Sequence, residues 1–249
     1  MCIRDRLNSY LDRCLGATDI NALLQSITGW YFARGYIRSR AYLAPQDLTT
    51  GTLSIQVVEG SIEDIDVEGL SPRVMQQLFQ PRRKGLLNLR DIEQGLDQLN
   101  RLRSRQSDME LTPGSRIGAS RIQLNTKFEN RISGSLAVDN LGQDSTGEEQ
   151  ARINFSFDDP FERLGFFSAS YSRQIHNRAS DIYSRSASVH FDWPYRYWNV
   201  DIDASWLAYS TIIDSASSSF VSSGVSRNQS LRVSRVLHRN QQSKYGLRG

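Results

Sequence analysis

The 249-residue chain has a formal net charge of +3, with 39% hydrophobic and 23% charged residues. At a mean hydropathy of −0.48 it holds no run of the roughly 18–20 apolar residues that a membrane-spanning helix needs. Its Lys and Arg residues form no dense basic block that would point to nucleic acid. Soluble folds and closed β-barrels both remain, because a barrel spreads its lipid face over alternate residues and looks hydrophilic on average.

Cys2 and Cys14 stand in neither a CxxC nor a Cys/His ligand spacing, so no metal site is expected. Met1 to Arg6 suits neither a signal-peptide n-region nor a domain start, and reads as foreign leading residues on a truncated gene.

Leu7 to Leu15 reads as the remainder of a helix. From Asp19, an N-cap candidate, to Arg34 the apolar residues Ile20, Leu23, Leu24, Ile27 and Tyr31 recur at the spacing of one helical face, with Gly35 as the stop. Tyr36 to Leu43 and Thr52 to Val58 alternate as strands around a Pro45–Gly51 break. A similar order follows: strand Ile62–Val67, helices Pro72–Phe79 and Leu89–Leu102, then strands Ser107–Leu111 and Ser120–Asn125 about Pro113-Gly114. This is a βααββ unit, and superimposing the two units leaves the first without its opening strand. The expected divisions are residues 7–60, 61–128 and 129–249.

From Ile132 onward helical periodicity gives way to alternation in segments of about the length a tilted membrane strand requires. Ile153, Phe155 and Phe157 oppose Arg152, Asn154, Ser156 and Asp158. Ala187, Val189, Phe191 and Trp193 oppose Ser186, Ser188, His190 and Asp192. Trp198, Val200, Ile202, Ala204 and Trp206 oppose Asn199, Asp201, Asp203 and Ser205. Six strands and a seventh beginning at Ser243 are expected.

Short turns at Asp159–Leu164, Pro194–Tyr197 and Asn240–Gln242 alternate with longer polar loops at Asn140–Glu149, Gln174–Asp181 and Thr211–Ser226, as in a barrel with short inner and long outer connections. Phe161, Phe166, Phe167, Trp193, Tyr195, Tyr197 and Trp198 cluster at the short turns, where an aromatic girdle at the bilayer interface belongs. Arg152, Asp158, Asp192, Asp201 and Asp203 are candidates to face a wet lumen. A soluble antiparallel sandwich alternates equally well and stays open on the pattern alone.

Three groups of residues resemble the two-partner secretion transporters, the haemolysin and filamentous-haemagglutinin secretion proteins. The first is Gly35-Tyr36-Ile37-Arg38-Ser39-Arg40-Ala41-Tyr42-Leu43 with Pro45-Gln46-Asp47-Leu48, Gly51 and Val57-Val58-Glu59-Gly60, similar to the signature of their POTRA modules. The second is Leu87-Asn88, Leu99-Asn100, Leu111-Thr112-Pro113-Gly114 and Gly118-Ala119-Ser120. The third, Val138-Asp139-Asn140, Gly142, Ser145-Thr146-Gly147 and Gln150, is similar to their first barrel hairpin.

The resemblance implies α+β POTRA modules followed by the N-terminal strands of an antiparallel transmembrane β-barrel in the bacterial outer membrane, with the modules in the periplasm. It implies a secreted exoprotein as partner and contact with outer-membrane lipid. A leading signal, a plug helix and a lumen loop motif beyond Gly249 would be missing, so the chain alone is not expected to transport. Family members often carry a cysteine where Cys14 stands, paired upstream. An outer-membrane insertase of the same superfamily and a periplasmic scaffold are the alternatives.

No catalytic motif, nucleotide loop or cofactor signature is present, and His176, His190 and His238 read as polar-face or loop residues. Docking of an extended partner segment on an open sheet edge is the expected mechanism, with Tyr36 to Leu43 as the edge. Tyr36, Arg38, Arg40 and Tyr42 would be exposed there, and Ile37, Ser39, Ala41 and Leu43 would face the helices.

Overall fold

The structure, a computed structural model, describes residues 7–79, 85–143, 145–175, 182–215, 218–240 and 242–249. Cys2, the leading residues 1–6 and His176 lie outside them.

Only a 3-10 turn, Asn8–Tyr10, forms where a helix over Leu7–Leu15 is expected. Leu11 is extended and Asp12 takes φ +54, a left-handed value that an α-helix cannot continue through. Helix α1, Ala17–Ala33, begins ahead of Asp19, with Gly16 as N-cap. Asp19 lies inside the first turn, where its Oδ2 accepts the Gly16 amide at 3.0 Å. Gly35 ends the helix at φ +88, and a Cβ there would come within 2.5 Å of Asn88 Oδ1.

Strands β1 (Arg40–Leu43) and β2 (Ile55–Val58) are antiparallel, and Leu23 and Ile27 of α1 pack on Ala41 with Leu24, Tyr31, Ile55 and Val57 around them. Residues 36–39 form a turn rather than the first half of the expected strand, because the Ser39 amide bonds back to the Tyr36 carbonyl at 3.1 Å.

The second module contains β3 (Ser61–Val67), α2 (Pro72–Leu78), α3 (Leu89–Asn100), β4 (Arg105–Pro113) and β5 (Ala119–Phe128). Its sheet order is β3-β5-β4, with β3 parallel and β4 antiparallel to β5. Ser71 Oγ accepts the Val74 amide and Asn88 Oδ1 the Arg90 amide, capping the two helices. Val74, Leu78, Leu87, Ile92, Leu99, Leu102, Ile122 and Leu124 form the core, and Leu164 from the next part of the chain completes it.

The remaining strands are β6 (Ile132–Asp139), β7 (Gln150–Asp158), β8 (Phe166–Gln174), β9 (Tyr183–Tyr195), β10 (Trp198–Ser215), β11 (Ser218–Arg239) and β12 (Lys244–Arg248). They make one antiparallel seven-stranded meander in chain order, whose edges β6 and β12 have no further partner among the described residues, so the sheet is open. The loop expected over Thr211–Ser226 is strand at its described residues, 211–215 and 218–226: β10 and β11 stay paired out to Ser215 opposite Ser218, at 18 and 22 residues long, and residues 216–217 lie outside the described residues. No helix among the described residues is long and apolar enough to cross a membrane.

Directly opposed residues of antiparallel strands share a face, so the register divides the sheet. Ile132, Phe157, Phe167, Phe191, Ile202 and Leu231 form one row. One residue along, Ser133, Ser156, Ser168, His190, Asp203 and Ser230 form a row on the other face. Hydroxyls there bond one another across strands: Ser133 to Ser156 at 2.7 Å, Ser170 to Ser188 at 2.7 Å, Ser172 to Ser186 at 2.8 Å.

Candidate functional site

Three regions carry the candidate residues: the edge of β1, the seam between the second module and the large sheet, and the two faces of that sheet.

At the edge, β1 pairs only with β2 among the described residues. Arg40 and Tyr42 are exposed, while Ser39 and Ala41 are buried. Tyr36 and Arg38 depart from the expected edge. Tyr36 is half-buried, its ring 6.1 Å from that of Tyr31, and Arg38 donates from Nε to Ser120 Oγ of the second module at 3.1 Å. Ile37 faces the second module's core rather than α1, and Leu43 is exposed. The Ala41 amide donates to Thr28 Oγ1 at 3.1 Å, so α1 already occupies one donor of the strand.

At the seam, α2, α3 and the residues after α3 meet the short-turn end of the sheet. Arg105 Nη2 lies 2.5 Å from Asp159 Oδ2, and the Ser104 amide donates to Asp158 Oδ2 at 2.7 Å. Arg101 donates to Asp192 and to the Leu164 carbonyl, and Gln77 to the carbonyls of Arg163 and Pro194. Tyr197 donates to Asp91. Arg239 and Lys244 reach Asp97 at 2.6 and 3.0 Å.

The turn at 159–164 is built for this contact. Asp159, Glu162 and Leu164 have φ of +53, +54 and +61, values that cost energy in residues with a Cβ. Asp159 Oδ1 holds the turn by accepting the amides of Arg163 at 2.5 Å and Leu164 at 2.6 Å, and Leu164 is thereby pressed into the second module's core.

Asp158 and Asp192 are therefore buried fasteners of the seam rather than lumen-wetted residues. Arg152, Asp201 and Asp203 lie on the polar face by register. Asp203 Oδ1 meets His190 Nδ1 at 2.8 Å, and its Oδ2 accepts Ser230 Oγ at 3.2 Å. His190, Asp192 and Asp201 bring one ligand-type atom each within 4.8 Å of one another. Arg101 pairs with Asp192 and Asp203 engages Nδ1 of His190, so these groups form one polar network on that face.

Of the expected girdle aromatics, Phe167, Trp193, Tyr195 and Trp198 lie on the apolar face by register, and Phe161 packs its ring 6.1 Å from Phe191 there. Phe166 and Tyr197 do not lie on that face. Phe166 opposes Asp158 and Asp192, lies 6.0 Å from the His190 ring and packs on the second module. Tyr197, in the turn before β10, points its hydroxyl at α3. The seam residues Arg101, Arg105 and Asp159 carry no motif, and their pairs join positions 54 or more apart.

Sequence comparisons decide the kinship. A family model described as "Haemolysin secretion/activation protein ShlB/FhaC/HecB" matches residues 118–249, preceded by a ShlB-type POTRA domain over residues 3–60 and a second POTRA domain over residues 61–113. The chain belongs to this ShlB/FhaC/HecB family. It is 36% identical over 242 residues to the outer membrane transporter CdiB of Dickeya dadantii (strain 3937), a match covering 96% of this chain and 43% of that relative. It is 32% identical to the hemolysin transporter protein ShlB of Serratia marcescens, over 82% of this chain and 36% of that one.

Among solved structures, CdiB from Escherichia coli superposes with a TM-score of 0.88 at 35% identity, covering 99% of this chain and 46% of that one. The ShlB/FhaC/HecB chain thus spans less than half the length of these relatives, and its sheet is the opening part of a barrel wall behind two POTRA modules.

Proposed function

We propose that this chain is the receiving part of an outer-membrane transporter that captures a secreted exoprotein of haemolysin or adhesin type with its POTRA modules and passes it through the barrel, as in two-partner secretion. The modules, residues 7–60 and 61–128, lie in the periplasm, and residues 129–249 span the outer membrane. The observation that carries the reading is the seam. An open-edged POTRA pair is fastened by Arg105–Asp159, Arg101–Asp192 and Leu164 to the short-turn end of a sheet that is apolar on one face only.

In this reading Arg40 and Tyr42 receive an extended partner segment by strand addition, while the flanking Arg38 ties the first module to the second and Tyr36 packs on Tyr31 within the first. Phe161, Phe167, Trp193, Tyr195 and Trp198 contact lipid at the periplasmic interface, while Arg152, Asp201 and Asp203 line the path. Nothing in it calls on an enzyme activity, a cofactor, a nucleotide or a nucleic acid.

The test is secretion of candidate exoproteins from cells carrying the full-length transporter, its gene deleted, and the gene restored. Export that is lost and regained with the gene supports the proposal. Export that persists without it, while other outer-membrane proteins fail to insert, would replace it with an insertase function.

A further inference from the structure

The apolar face of the sheet carries arginines at its far end. Register places Arg173 of β8 directly opposite Arg185 of β9, and Arg227 of β11 directly opposite Trp206 of β10. Trp206 is opposed on its other side by Ala187, and Arg185 by Ala208. The Arg185 guanidinium lies 5.2 Å from the Tyr183 ring centroid and 5.4 Å from that of Trp206, which fixes it on the lipid side. All three arginines are exposed, and none forms an ion pair with a carboxylate among the described residues.

Their level in the sheet is specific. From Trp198, at the POTRA end, to Ala208, the partner of Arg185, the strand rises about 33 Å at roughly 3.3 Å per residue. A tilt of about 40° reduces this to about 25 Å, the height of the apolar band of an outer-membrane barrel. The arginines therefore stand where the band meets the headgroups of the leaflet away from the POTRA modules. Like charges directly opposed on neighbouring strands destabilise each other, and guanidinium forks match phosphate oxygens two at a time. The arrangement calls for an anion that arrives from the lipid.

We propose that Arg173, Arg185 and Arg227 bind the phosphate groups of a phosphorylated outer-leaflet glycolipid, with Tyr171 and Trp206 as the aromatic bed beneath its sugar–acyl boundary and Tyr183 bracing Arg185 from the outer side. This rests on the outer-membrane reading of the sheet.

The test uses the full-length transporter purified in detergent, with lipid adducts read by native mass spectrometry. The lipids are lipid A bearing both phosphates, dephosphorylated lipid A, and phosphatidylglycerol. The expected result is retention of the bisphosphorylated form alone, reduced about tenfold in the Arg173→Gln/Arg185→Gln variant, as loss of charge-assisted hydrogen bonds implies. Arg232→Gln, opposite Asp201 on the polar face, retains it fully. Heat-dependent gel mobility verifies that each variant still forms a barrel. Equal retention by the double variant, or of dephosphorylated lipid A, overturns the site. Arginine-dependent retention of phosphatidylglycerol overturns its assignment to the outer-leaflet glycolipid. A protein that stays soluble without detergent overturns the membrane reading, and this site with it.

Discussion

The guanidinium of Arg105 reaches the carboxylate of Asp159 at 2.5 Å across the seam between the second POTRA module and the barrel wall, and the side chains keep only 8% and 0% of their accessible surface. A buried pair adds little net stability over an apolar one, but removing one partner strands the other's charge.

Arg105→Ala is therefore expected to destabilise the seam by about 3–5 kcal/mol. Arg101→Ala should cost less, because its pair with Asp192 is more exposed, at 25% and 11%. Chemical denaturation of the full-length protein, with cleavage by a dilute protease between α3 and β8 as a local reporter, ranks the two. Equal effects would refute the burial argument.

Leu164→Ala removes the side chain through which the barrel turn closes the module's core. A cost of about 2–5 kcal/mol is expected from lost burial and the cavity left behind, seen as a lower unfolding midpoint of the periplasmic part. An unchanged midpoint would mean that the turn does not complete that core.

Asp97 on α3 supplies a pH dependence. Its burial pushes the carboxyl pKa up, but hydrogen bonds from Arg239 and Lys244 outweigh this and hold it below the ordinary carboxylate value. A depressed pKa contributes stability that is present above the unfolded value of about 4 and is lost as pH falls through the folded one. Spin labels on α3 and β12 should report an unchanged distance from neutral pH down to that region and loosening below it. Asp97→Asn should remove this component, and a variant that keeps the full acid response would assign it elsewhere.

Arg40→Glu with Tyr42→Ala alters the two exposed side chains of β1 without touching buried Ala41. If the edge receives the exoprotein, affinity in a surface-binding assay with the full-length transporter falls about tenfold or more, the scale of an interface hot spot. Unaltered affinity would move the docking edge to another strand.

Much of this was legible in the residues, and the failures have physical causes. Where one face meets lipid and the other water, as from Trp198 to Trp206, alternation is strict and the strand is plain. Beyond the bilayer both faces of a ribbon meet water, so the paired stretch on either side of Ser215 and Ser218 keeps its ladder but loses its pattern and looks like a loop. In the sequence Phe166 and Tyr197 read as girdle residues, because composition near a turn does not reveal facing. In the fold, one opposes Asp192 and the other reaches Asp91. Arg105 and Asp159 are a loop arginine and a turn aspartate until the seam brings them together.

The unusual length of β10 and β11 also has a practical meaning. At about 3.3 Å per residue, their 18 and 22 residues overshoot the lipid on the side away from the POTRA modules. The strand ends at Ser215 and Ser218 would then stand clear of the lipid on the intact cell, so a short epitope joined next to Ser218 should be stained by antibody on living bacteria, turning the excess strand into a flag for which way the wall is threaded.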